Sequence, residues 1–142
     1  GVDKRYLCLV SCRWPAHLQR VDAPLEKFAL PSGERRVKVA ATGRQSLTTF
    51  RVVTRWSCAT LVEAKPVTGR THQIRVHCQH AGFPILGDAK YSDDAAIRLA
   101  DKIGLKRLFL HAASLNFQLE EQNYSLEAAL PKELQRLVES LA

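Results

Sequence analysis

The stretch "TTFRVVTRWSCATLVEAKPVTGRTHQIRVHCQHAGFP", Thr48 to Pro84, changes its hydrophobic period partway along. Its first half holds two runs rich in Val, Thr, Phe and Leu that meet near Trp56-Ser57, the pattern of an antiparallel hairpin. After Gly69 the spacing becomes helical: Ile74, His77, Cys78 and Ala81 fall on one face, and Thr71 is the expected N-cap. Gly82 is placed to end that helix and Pro84 forbids its continuation.

Working outward, "RYLCLVSC" (5–12) reads as a strand, and "AHLQRVDAPLEKFALPSGERRV" (16–37), punctuated by Pro24, Pro31 and Gly33, as a long connection. "VKVAATGRQSLTTFRVV" (37–53) reads as strand, turn at Thr42-Gly43, strand. A second helix is expected after Ser92-Asp93, through "DAAIRLADKI" to Gly104. "SLNFQLEEQNYSLEAAL" (114–130) reads as a hairpin and "PKELQRLVESLA" (131–142) as a terminal helix opened by Pro131. Short-turn strand pairs with helices between and after them define an α+β domain whose sheet is largely antiparallel, with flanking helices.

At 142 residues and 46% hydrophobic, the chain suits one domain with its own core. The net charge of +7, with a pI near 9.5, favours a polyanionic partner such as nucleic acid. No apolar run approaches the roughly 20 residues a membrane helix needs, and no signal-peptide core is visible, so a soluble, unexported chain is expected. Cys8, Cys12, Cys58 and Cys78 form no paired CxxC units and are read as reduced, packed thiols.

The segment Pro66 to His80 carries Arg70, Arg75 and three of the five histidines, with no Asp or Glu. A metal site is disfavoured, because His72 lies five residues before His77, about 140° around a helix axis, and no carboxylate is local. A phosphate site fits better: Gly69 permits close approach, Thr71 begins a helix, and Arg70 adds a fork of donors. His72, Arg75 and Gln79 form a polar stripe that leaves Arg75 mid-helix without an acidic partner in the stretch.

"TGRTHQIRVHCQHAGFPILGDAKY" (68–91) resembles the signature of the RluA-type RNA pseudouridine synthases, T-G-R-[TS]-H-Q-[IL]-R-V-H followed by G-x-P-I-x-G-D-x-x-Y. "KRYLCLV" (4–10) is similar to that family's K-x-Y strand, "GRQSLTTFRVV" (43–53) to its G-K-x-A-x-T-x-F-x-V strand and "KRLFLHAASLNF" (106–117) to its R-L-x-L-H-A-x-x-L-x-F segment. "LEAALPKELQRLV" (126–138) resembles the end of the catalytic domain, and members acting on large-subunit ribosomal RNA look nearest.

The resemblance implies a pseudouridine synthase fold and a metal-free, cofactor-free isomerisation of uridine in RNA to pseudouridine, carried by an aspartate. Arg75 matches the arginine that pairs with that aspartate, and Tyr6 the tyrosine that stacks on the target base. Ile74 would line the uracil pocket. Lys4, Lys65, Arg70, Thr71, His72 and Gln73 are the further candidates for substrate contacts. The family's R-L-D-x-x-T-S-G motif, which holds the aspartate upstream of K-x-Y, does not occur in the 142 residues. Residues 1–142 are therefore expected to be the C-terminal portion of the catalytic domain, inactive alone, cytoplasmic (or in an organellar matrix in a eukaryote), and prone to self-association through uncovered sheet edges. A non-catalytic RNA-binding protein on the same fold is the alternative.

Overall fold

The computed structural model describes residues 2–141. Eight strands and three helices follow in order: β1 (Val2–Ser11), β2 (Arg20–Asp22), β3 (Leu25–Ala29), β4 (Arg35–Val39), β5 (Leu47–Arg55), β6 (Ala59–Pro66), α1 (Gln73–Ala81), α2 (Asp94–Lys102), β7 (Leu110–Leu119), β8 (Gln122–Glu127) and α3 (Lys132–Ser140). Six strands form one sheet in the order β2-β5-β6-β1-β7-β8, and β3 pairs with β4 as a separate ribbon. Every pairing between these strands is antiparallel, as the short turns in the sequence require.

Strand alternation divides the core. Cys8 and Val10 of β1 pack with Phe50, Val62, Ile74 and Cys78, under α1, while Leu9 packs with Ala59, Leu61, Ala96, Ala100 and Leu134, under α2 and α3. A central strand covered on both faces has no polar positions in its middle, which is why "LCLV" is continuously apolar. The ribbon joins the core through Leu25 and Val37, which pack with Val76 of α1 and Tyr91.

The hairpin of β5 and β6 and all three helices fall where the sequence places them. The connection 16–37 does not: it holds β2, β3 and the start of β4. Pro24 and Pro31 lie just outside the two ends of β3, where a missing N–H breaks no ladder, so they bound a strand rather than exclude one. Nor do β4 and β5 pair across Thr42-Gly43. That turn folds back on β3 through the reciprocal bonds Leu25 N to Arg44 O (2.9 Å) and Arg44 N to Leu25 O (2.8 Å). At the start of α1, the N-cap position is held by His72, with φ 52° and no side-chain cap, in place of Thr71. Cys8 and Cys78 are the packed thiols expected, their pKa values pushed up by burial, whereas Cys12 and Cys58 are exposed.

Gly87 sits between the core and the site and tolerates no side chain. Its φ is 83°, and a Cβ there would collide with the backbone carbonyl of Arg107. Gly87→Ala is therefore expected to destabilise the fold by roughly 3 kcal/mol or more, read as a lower urea midpoint at unchanged slope.

Candidate functional site

A cleft of about 610 Å³ opens between the first half of β1 and the segment that links β6 to α1. Val2, Lys4 and Tyr6 alternate onto it from β1, and Arg70, His72, Ile74 and Arg75 face it from the other wall. The register between β1 and β7 shifts between Arg5 and Tyr6, leaving Ala113 as the extra residue. Such a bulge bends the sheet locally, beside Tyr6. The inner end of Tyr6 rests against the core cluster of α1.

The linking segment is braced from within. Gln73 is buried, and its amide donates to Leu47 O (2.8 Å) and Thr48 Oγ1 (2.9 Å) while accepting from Thr68 Oγ1 (2.7 Å) and Arg70 N (3.1 Å). Both donors and both acceptor positions are thereby occupied. Gln73, expected among the substrate contacts, does line the cleft, and its saturated amide braces the Gly69-Arg70 loop. Arg70 is fixed in turn, with Nε and Nη2 donating to Gln45 O at 3.1 and 3.0 Å.

Arg75 is where structure and sequence part most. It does have an acidic partner: Nε donates to Asp88 Oδ2 (2.8 Å) and Nη2 to Asp88 Oδ1 (2.7 Å). The Asp88 side chain is fully buried and that of Arg75 only 16% exposed. Asp88 Oδ1 also accepts from the amides of Lys90 (2.9 Å) and Tyr91 (3.0 Å). Burial pushes the Asp88 pKa up, but the Arg75 bonds and the two amides outweigh it, and the carboxyl lies below its ordinary value. Two of the three guanidinium nitrogens are held by one carboxylate, so the side chain has a fixed aim.

Tyr91 ties this pair to His72. The Tyr91 hydroxyl accepts from Val37 N (3.0 Å) and lies 2.8 Å from His72 Nδ1, while the Arg75 guanidinium stands over its ring at 5.0 Å. That Nδ1 contact and the bond from Val37 fix the orientation of the His72 ring at the cleft. Burial and the neighbouring Arg75 and Lys90 cations lower the His72 pKa. A non-glycine residue in the left-handed region at the rim of a cleft is strained backbone held by its surroundings.

His77, on the same helix, faces the core. Its Nε2 lies 2.9 Å from Ala23 O and its Nδ1 2.8 Å from Thr48 Oγ1, so it does not converge with His72 or His80 on a metal. Among the described residues no three His, Cys, Asp or Glu side chains gather at one point. Burial lowers the His77 pKa despite the opposing bond to Ala23. A histidine whose folded pKa is depressed binds its proton in the unfolded chain first. Stability is therefore complete above about pH 6.5 and falls as pH drops below it, at up to about 1.4 kcal/mol per pH unit for each such group. Urea midpoints are expected to decline from pH 7 to pH 5, and His77→Gln to flatten that decline.

Two expected residues lie elsewhere. Lys65 is one strand step from Ala64, the partner of Tyr6, so alternation turns it to the opposite face, where its Nζ is 3.8 Å from Asp3 Oδ1. Thr71 lines an adjoining cavity rather than the cleft. Asp88, Tyr91 and Thr68 were not singled out, although "GDAKY" and "TGR" stand within the signature stretch 68–91.

An antiparallel sheet packed between helices thus brings a tyrosine and an arginine to one cleft, whose lining also carries Lys4 and Arg70. The family model described as RNA pseudouridylate synthase matches residues 1–80. The chain is 49% identical over 146 residues to ribosomal large subunit pseudouridine synthase C of Salmonella typhi, covering 99% of this chain and 46% of that protein. It is 52% identical over 119 residues to the protein of the same name from Escherichia coli K12, covering 82% and 37%. The chain thus spans less than half the length of these relatives. Among solved structures, human RNA pseudouridylate synthase domain containing 4 superposes with a TM-score of 0.76 at 27% identity, over 99% of this chain and 62% of that one. Human domain containing 1 gives 0.75 at 24% identity, a likeness of fold. The chain belongs to the RNA pseudouridylate synthase family.

Proposed function

We propose that this chain supplies the C-terminal portion of the catalytic domain of an RNA pseudouridine synthase that acts on large-subunit ribosomal RNA. The observation that carries the reading is the aim of Arg75: Asp88 engages Nε and Nη2, and Nη1 makes no hydrogen bond among the described residues. Nη1 is assigned to the family's catalytic aspartate, whose motif is not among the 142 residues. A guanidinium beside that carboxylate holds it ionised, as a nucleophile requires. Tyr6 is assigned to stacking on the uracil, Ile74 to its pocket, and Lys4, Arg70 and His72 to phosphate or carbonyl oxygens of the RNA. The glycosidic N1–C1′ bond breaks, the uracil turns, C5 joins C1′, the C5 proton leaves to solvent and N1 takes up a proton. None of these assignments uses a metal or organic cofactor.

Support for an RNA substrate comes from the net charge of +7 and from the names of the relatives. Residence in the cytoplasm, or in the matrix of an organelle, belongs to the same reading, and no helix among the described residues is long and apolar enough to cross a membrane. Self-association belongs to it too: β8 is exposed along its whole length, with Leu126 and Tyr124 open beside its free edge. The test is tritium release from RNA labelled at uracil C5, using a protein in which an R-L-D-x-x-T-S-G segment precedes Gly1, with a metal chelator present. Release is expected. Tight RNA binding without release would favour the non-catalytic alternative.

A further inference from the structure

Beside the cleft lies a second cavity of about 410 Å³, and the two share one wall, Gly69-Arg70. Its floor is apolar, made by the buried Leu25 and Val37 of the ribbon. Lys27, Arg44 and Arg70 line it with positive charge, and none of the three takes part in an ion pair among the described residues. The single carboxylate in its lining, Glu26, accepts from Thr42 Oγ1 at 3.2 Å.

The cavity is built rather than incidental. Leu25 and Arg44 exchange backbone bonds, and a Cβ on Gly43 would stand 2.6 Å from the Leu25 carbonyl carbon, so this turn rests directly on β3 and fixes the base of Arg44. Arg70 is anchored to Gln45 O at the ridge between the two spaces. An apolar floor rimmed by unpaired cations matches the chemistry of a nucleotide: a base face over carbon, a phosphate beside guanidinium and ammonium.

We propose that this second cavity is a binding subsite for a nucleotide flanking the reacting uridine, with the phosphate between the two nucleotides lying over Arg70. The proposal rests on the reading of the chain as RNA-binding and adds a place for the RNA that the reaction itself does not require. A strand seated in both spaces has two successive bases drawn out of its stack, which makes the identity of the neighbour, as well as the uridine, available for selection.

The test is fluorescence anisotropy of a short single-stranded RNA against the full chain over a salt series. Lys27→Ala/Arg44→Ala is expected to weaken binding by about tenfold or more and to lower the magnitude of the log–log salt slope by roughly 0.7 per charge removed. Lys132→Ala/Arg136→Ala, which removes two cations from exposed positions on α3, is expected to leave affinity much closer to that of the parent. In parallel, a photoreactive thiouridine placed next to the target should cross-link to peptides spanning 25–44. Equal losses in both double variants, or an unchanged Lys27→Ala/Arg44→Ala protein, would overturn the subsite alone. Failure of the parent to bind any RNA would overturn the underlying reading with it.

Discussion

Arg75→Leu is expected to destabilise the fold by about 3–5 kcal/mol, because it strands the fully buried Asp88 carboxylate without its cation. Arg75→Leu/Asp88→Asn should recover most of that loss. An asparagine oxygen can still accept from the Lys90 and Tyr91 amides, and no charge remains to be buried. The cycle of single and double variants, read from urea midpoints, isolates the coupling, which should be well above 1 kcal/mol. A loss below about 1 kcal/mol for Arg75→Leu would mean that the ion pair does not hold the turn at Gly87-Asp88.

Arg75→Lys separates structure from chemistry. An ammonium keeps the charge and can satisfy one oxygen of Asp88, so the fold should survive. It cannot span both oxygens of Asp88 and also present a directed donor to a second carboxylate. In a protein that includes the catalytic aspartate, kcat is expected to fall by about 10²–10³-fold, with KM nearly unchanged, since the lost contact concerns the reacting groups rather than RNA docking. Tritium release across RNA concentrations measures both. A rise in KM with kcat intact would place Arg75 among the docking residues.

The parts of this architecture carried by local pattern were legible in the sequence. Two runs rich in Val, Thr, Phe and Leu meeting near Trp56-Ser57, helical spacing from Ile74 to Ala81, and the stop at Gly82 and Pro84 marked out the hairpin and α1 directly. The ribbon was hidden because "LEKFA" and "RRVKV" are charged on their outer face and flanked by Pro and Gly, so they mimic a loop. Which strand pairs with which is a tertiary property, and the turn at Thr42-Gly43 closes on Leu25 rather than on β4 for that reason.

At the site, residue types were easier to read than their partners. Tyr6, Arg70, His72, Ile74 and Arg75 do line one cleft. Asp88 was missed because it lies thirteen residues beyond Arg75, past the end of α1, and only the fold returns it to the helix. The bracing bonds of Gln73 and the position of Lys65 on the other face of the sheet were hidden for a related reason: both depend on tertiary partners, and one strand step decides the face. The arginine without a local acidic partner is held by a distant one, and that second carboxylate is what gives it a direction.

The most direct test of the proposed function is to map pseudouridine in large-subunit ribosomal RNA by carbodiimide modification and primer extension, after incubation with the 142-residue chain alone or with the chain preceded by an R-L-D-x-x-T-S-G segment. A new stop is expected only with the extended protein, and it should be lost again when the aspartate of that segment is replaced. A stop produced by the chain alone, or by the extended protein without its aspartate, would contradict the assignment of Arg75 to a carboxylate supplied from outside these residues.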